Sequence, residues 1–154
     1  MLLPRKYPKP PGSSHAKTSF GKLDRSQLMS RVRSSRNGTT ELQMKRLLRL
    51  HRVTGWRRTS RLIGKPDFVW NARRVALFVD GCFWHGHSCG RNLHPKKNSE
   101  FWEAKFAANR RRDRFVPRKL RSLGWHVLRL WECMLIKNPR RCIRRLTRVL
   151  TMEP

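Results

Sequence analysis

Acidic residues are scarce: nine Asp and Glu stand against 37 Lys and Arg in 154 residues, a formal net charge of +28. A compact body with that excess repels itself unless a polyanion neutralises it, so nucleic acid is the expected partner. The first 25 residues carry a net +5, leaving +23 on the remainder, so the charge belongs to the folded body as well as to the tail. Long apolar runs are also missing. Met1-Leu2-Leu3 meets Pro4-Arg5-Lys6 at once, too short for the core of a signal peptide, and no stretch approaches the ~20 apolar residues of a membrane span. The expectation is a chain of the reducing cytoplasm with no membrane partner. Cysteines number only four, at 82, 89, 133 and 142, and in that compartment Cys clustered with His holds metal more often than it forms bridges. Composition alone fits a ribosomal-type RNA-packing protein as well as an enzyme, so the motifs decide.

The length suits one domain with a real core. Residues 1–23 read as a basic disordered arm, rich in Pro, Lys, Ser and Gly, and residues 24–154 as a single folded domain. Asp24 with Gln27 opens an expected helix carrying Leu28, Met29 and Val32. Thr40-x-x-Gln43 has the form of a capping box, starting a second helix with Leu42, Leu47, Leu50 and Val53 near one face and Glu41 in its first turn. The chain then reads as strand or loop through Trp56. Gly64-Lys65-Pro66 turns into the run Phe68-Val69-Trp70, Asn71-Ala72-Arg73 reads as a hairpin turn, and Val75 to Val79 is apolar on both faces, as a central strand is. Asp67 and Asp80 should then lie near one end of adjacent antiparallel strands. Asn98 or Ser99 caps a long helix that Pro117 is expected to kink or interrupt. Gly124 ends that helix, Trp125 to Leu130 is a further strand, and Asn138-Pro139 starts a last helix with Ile143, Leu146, Val149 and Leu150 inward. The order α, α, β, β, β, long α, β, α gives an α/β class, a mixed sheet flanked by helices.

In so basic a chain any one acid is readily neutralised by a nearby Arg, which is the reading taken for Glu100, Glu103 and Glu153. Asp67 and Asp80 differ, because each adjoins a continuous apolar strand where a carboxylate is costly unless paired or metal-bound. Cys82, His87 and Cys89 follow the spacing C-x4-H-x-C, and Cys133 lies just past the last strand; thiolates with an imidazole make a closed tetrahedral zinc site. Cys142, His94 or His126 could replace Cys133 on spacing alone, although Cys142 suits the core face of the last helix. His85, on the exposed side of the same loop and five residues beyond Asp80, suits a proton acceptor for water. Phe83, Trp84 and Trp102 are either core aromatics or wedges against a base stack.

In order along the chain, the segments Gln27-Leu28-Met29-Ser30-Arg31-Val32-Arg33-Ser34, Thr40-Glu41-Leu42, Gly64-Lys65-Pro66-Asp67-Phe68-Val69 and Phe78-Val79-Asp80-Gly81-Cys82-Phe83-Trp84-His85-Gly86 form one pattern. It continues through Glu100-Phe101-Trp102, Lys105, Asn109, Asp113-Arg114 and Gly124-Trp125-x-Val127-Leu128-x-Leu130-Trp131-Glu132. This pattern resembles the very short patch repair endonucleases, relatives of the restriction-endonuclease-like PD-(D/E)xK fold. The resemblance implies magnesium-dependent nicking of double-stranded DNA 5′ of the thymine in a T:G mismatch left by deamination of 5-methylcytosine. It implies that Asp67 holds magnesium with the main-chain carbonyl of Val79, that His85 is the base or orients the attacking water, and that Glu41 and Asp113 order water or the base. Asp80 falls where the family varies between acid and histidine. Two metal ions stabilising the attacking and leaving oxygens would explain why few protein groups suffice. Cys82, His87, Cys89 and Cys133 match the structural zinc site; Phe83, Trp84 and Trp102 match the aromatics beside the mismatch, with Lys105 and Asn109 near the bases. The lysine of the wider fold's motif falls at Cys82, so His85 stands in for it. A monomer at the bacterial nucleoid is implied, with mismatch-repair proteins and a cytosine-5 methyltransferase as partners. The competing readings are an endonuclease of other specificity, of mobile-element or restriction type, and a zinc-stapled nucleic-acid-binding protein without turnover.

Overall fold

Strand β2, Val75–Asp80, is buried along nearly its whole length because helices cover both faces of the sheet it centres. The computed structural model of the chain describes residues 40–58, 61–89 and 98–152; the basic arm, the helix expected after Asp24, His94 and Glu153 lie outside them. The sheet has three strands in the order β1-β2-β3, with β1 at Phe68–Trp70 and β3 at His126–Trp131. β1 runs antiparallel to β2, pairing Phe68 with Leu77, and β3 runs parallel to it, pairing Asp80 with Trp131. The hairpin turn is a single 3-10 turn, Asn71–Arg73, closed by Arg74 at φ 46.

Alternation along β2 sorts its side chains between two cores. Val75, Leu77 and Val79 join Phe68, Leu128 and Leu130 against three helices: α1 (Glu41–Leu50), α3 (Glu132–Lys137) and α4 (Pro139–Thr151). Ala76 and Phe78 meet Val116 and Leu120 of α2 (Ser99–Ser122) on the other face. Asp80 continues that second set, so the pleat aims its carboxylate toward α2. On β3 the same rule sends Val127 and Arg129 to the α2 face.

Four expectations are corrected. The stretch near Trp56, read as strand or loop and counted as a strand in the element order, is loop: Arg57 makes one isolated bridge to Val69, and Trp56 packs its ring edge-on to Phe68 at 5.2 Å. Thr40 precedes α1 without a side-chain capping bond, and Gln43 does not reach back to it but donates its amide to the Leu135 carbonyl at 3.2 Å and serves tertiary packing. The buried face of α1 is Glu41, Met44, Leu47 and Leu48, while Leu50 is 64% exposed. Pro117 does not interrupt α2, which runs unbroken for 24 residues. The missing proline N–H costs one helical bond, and Val116, Pro117 and Leu120, all buried, hold the helix to the sheet. Helix α3, between β3 and α4, was not foreseen. The start of α4 is as expected, with Asn138 accepting from the Arg141 N–H at 3.0 Å and Pro139 in the first turn.

The turn entering β1 is pinned to α2 at Gly64, whose φ is +79 and where an added Cβ would overlap the Val116 side chain. Gly64→Ala is expected to destabilise the domain by about 2–4 kcal/mol, the left-handed backbone and the overlap adding. That corresponds to a fall of roughly 5–15 °C in calorimetric melting temperature. An unchanged melting temperature would mean that the turn is not held against α2.

Candidate active site and metal centre

The ends of β1 and β2 open into a cleft of about 420 Å³ lined by Asp67, Val79, Asp80, Trp84, His85 and Lys105, with Glu41 and Asn109 also on its wall. Asp67 immediately precedes β1, and its Oδ2 accepts the Val79 N–H at 2.7 Å. Burial, with the neighbouring Asp80 adding to it, pushes its pKa from 3.8 up to about 6, against the opposing pull of the Val79 amide and Arg58. Burial likewise raises Asp80, and His85 and Arg129 oppose it.

The loop after β2 folds back as the Gly86 N–H donates to the Phe83 carbonyl at 3.2 Å and the His87 N–H to the Cys82 carbonyl at 3.0 Å, with Gly86 at φ +55. A left-handed residue between the two histidines lets them serve different sites. His85 turns toward α2, where its Nδ1 lies 2.5 Å from Asp113 Oδ2 and its Nε2 lies 3.6 Å from Asp80 Oδ1. It is buried, not exposed as the sequence suggested, since two carboxylates and the Trp131 ring, in a T-shaped contact 5.7 Å away between centroids, enclose the ring. Arg129 Nη1 completes the cluster at 2.6 Å from Asp80 and 2.7 Å from Asp113. Burial would raise Asp113, but the hydrogen bonds from His85 and Arg129 outweigh it and hold its carboxyl below the ordinary range. Sequence reasoning missed Arg129: nothing distinguishes one base among 37. The signal available was its position in the register, where it pairs with Phe78, two residues before the pair Asp80 and Trp131 and so on the same face as Asp80.

Glu41 is buried and contacts Arg58, as an ion pair rather than a bare carboxylate. Asn109 donates its amide to the Trp84 carbonyl at 2.5 Å, tying α2 to the loop. Phe83 and Trp102 are buried, their centroids 5.0 Å apart, while Trp84 is half-buried beside the cleft. Lys105 is exposed on the cleft wall, and Glu100 and Glu103 are exposed at the start of α2.

On the other side of the loop, the ligand atoms of Cys82, His87, Cys89 and Cys133 all lie within 4.8 Å of one another. Cys133 Sγ is 3.7 Å from His87 Nδ1, close to the ~3.6 Å edge of a zinc tetrahedron with ordinary Zn–S and Zn–N bonds. The Cys133 N–H points at Cys82 Sγ at 3.4 Å, an outer hydrogen bond of the kind thiolate ligands receive. The donor set thus fits a structural zinc ion. Cys142 is instead buried in the core and its thiol is pushed up by that burial, and His126 begins β3. The centre and the histidine cluster share one neighbour, for His87 stacks on Trp131 at 4.2 Å.

A sequence model described as DNA mismatch endonuclease Vsr matches residues 18–91. A Type II nicking enzyme of Xanthomonas oryzae pv. oryzae is 41% identical over 118 residues, 72% of this chain and 81% of that protein. The chain belongs to the Vsr family. Family members are DNA-cleaving enzymes, and two further members show the spread: the DNA mismatch endonuclease Vsr of Escherichia coli is 46% identical over 74 residues, 48% of this chain and 47% of its own. A Type II nicking enzyme of Neisseria meningitidis serogroup A is 41% identical over 90 residues, 58% of this chain and 64% of its own. Among the described residues, no helix of this Vsr-family chain is long and apolar enough to cross a membrane.

Proposed function

We propose that this chain is a magnesium-dependent endonuclease that nicks one strand of double-stranded DNA 5′ of the thymine in a T:G mismatch. The observation that carries the nuclease reading is the meeting of Asp67, Asp80 and His85 on one cleft, with the Val79 backbone at its floor. A buried carboxylate that receives one amide and faces a second carboxylate is an incomplete cation site, and oxygen donors fit a hard divalent ion. Asp67 and the Val79 carbonyl would hold it. Such an ion supplies Lewis-acid stabilisation of charge developing on the phosphate.

The remaining chemistry belongs to the side chains. Asp113 engages His85 Nδ1, which fixes the tautomer and leaves Nε2 to accept the proton of the attacking water. Arg129 neutralises Asp80 and Asp113 together, so neither carboxylate needs to draw the proton away. Lys105 and Trp84 flank the cleft where the backbone and an unstacked base would lie, with Phe83 and Trp102 packed behind Trp84 as its support. The Cys82, His87, Cys89 and Cys133 centre anchors the loop that carries both His85 and the aromatics. The helix-flanked mixed sheet, with its acids at the strand ends, is compatible with a restriction-endonuclease-like core.

The names of the Xanthomonas and Neisseria relatives favour a second reading in specificity, a restriction-type nicking enzyme. Nicking of a labelled duplex carrying one T:G pair, beside its T:A counterpart, with and without added magnesium, separates the two. Cleavage confined to the T:G duplex is expected. Equal cutting of both duplexes supports the restriction-type reading, and no cutting in any flanking sequence supports the binding protein.

A further inference from the structure

We infer that the chain holds a second DNA segment, on a basic groove separate from the cleft. Resting on the DNA-acting reading of the family, it concerns a surface that reading touches only at Asp113 and Arg129. The groove has a volume of about 420 Å³ and lies where α2 passes over β3 toward α4, with Arg114, Arg118 and Arg121 on one wall and Arg145 of α4 on the other. All four arginines are exposed. Its floor is Pro117, Val127, Leu128 and Arg129, and the one acid among its described lining residues, Asp113, is already engaged by His85 and Arg129.

Helix geometry separates this groove from the cleft. At about 100° per residue, Lys105, Asn109 and Arg112 fall within roughly 60° of one another, and Arg114, Arg118 and Arg121 within roughly 60° of a direction on the opposite side of α2. A helix with its side chains is about 10–12 Å thick. A duplex lying in the cleft therefore meets the first set, while the second set points to the opposite side of the helix. Planar guanidinium forks from two helices around a shallow floor suit phosphate oxygens spaced along a backbone. Five arginines, Arg114, Arg118, Arg121, Arg129 and Arg145, line it, and the closely spaced phosphates of a nucleic-acid backbone match that charge, which favours nucleic acid over an acidic protein. Two duplexes on one molecule would let it pass from one DNA segment to another without full release.

The test uses the full chain without added magnesium, saturated with a biotinylated T:G duplex and then offered a fluorescent duplex of unrelated sequence. Co-capture of the second duplex is expected, with a salt slope steeper than −3, from about four neutralised phosphates at roughly −0.9 each. The variant R114Q/R118Q/R121Q/R145Q is expected to lose co-capture while nicking a short duplex at the wild-type rate. Saturation at one duplex per chain, or undiminished co-capture by the variant, overturns the inference. So does binding of poly-glutamate, lost in the variant, where no second duplex is captured, which assigns the groove to an acidic protein. The nicking assay reads out the cleft independently, so failure of the groove and failure of the nuclease reading are distinguishable.

Discussion

Asp67→Asn is expected to lower strand nicking by about a thousandfold or more while making the metal-free protein more stable at pH 7. The first effect follows from removing the charge that would hold the divalent ion. The second follows from where that charge sits. Asp67 has a pKa of about 6 in the folded chain against an ordinary 3.8, so the folded state binds the proton more tightly than the unfolded one. Stability therefore falls as pH rises from about 4 to about 6, and above that the full penalty, of order 2–3 kcal/mol, is present. Asparagine keeps the shape and can still accept from Val79 N–H without that penalty. Asp80 is shifted the same way and Asp113 the opposite way, so the difference between variant and wild type, rather than the wild-type curve, isolates Asp67. Thermal melting at pH 5 and pH 8, with and without magnesium, provides the check. Wild type should gain stability from magnesium at pH 8 and the variant should not. A variant that nicks normally, or a wild type indifferent to the ion in both stability and cleavage, would remove Asp67 from the site.

The parts of the fold legible in the sequence are those where local signals and burial agree. Val75 to Val79 reads as a central strand because no face of it is polar, and Asn138-Pro139 reads as a helix start because cap and ring geometry act within three residues. Where a residue has two uses, the tertiary one prevailed and local rules failed. Gln43 leaves the capping box for the Leu135 carbonyl, and Pro117 stays within α2 because its neighbours are buried on the sheet. The site divides along the same line. Cys82, His87 and Cys89 are visible as a local cluster, but Cys133 joins them through the parallel pairing of β2 with β3, which ends at Asp80 and Trp131. Arg129 is reached only through that pairing, and the enclosure of His85 only through the approach of Asp113 from α2. A sequence read alone shows which residues are chemically able; strand register decides which of them meet.

The same register makes Cys133→Ser the most damaging single substitution expected. Cys133 is a buried thiol in the first turn of α3, and with Cys82, His87 and Cys89 it ties the end of β3 to the loop that follows β2. Structural zinc contributes about 10–16 kcal/mol to the folding of small zinc-finger peptides, comparable with the whole stability of an ordinary domain at about 5–15 kcal/mol. Retaining only part of that contribution here would still leave the domain dependent on the ion. Serine supplies neither the thiolate nor its volume, so purified wild type should carry about one zinc per chain and the variant close to none. The cooperative melting transition should drop by tens of degrees or vanish, and nicking should go with it, because His87 stacks on Trp131, whose ring is also in T-shaped contact with His85. Cys142→Ser is the control: it puts a polar atom into the core at a comparable cost in packing but should keep the zinc, since Cys142 packs with Ile143 and Leu146 and is not one of the four clustered ligands. Zinc analysis beside calorimetry on both variants separates loss of the ion from loss of packing, and full zinc with unchanged melting in Cys133→Ser would mean that the four residues meet without holding metal.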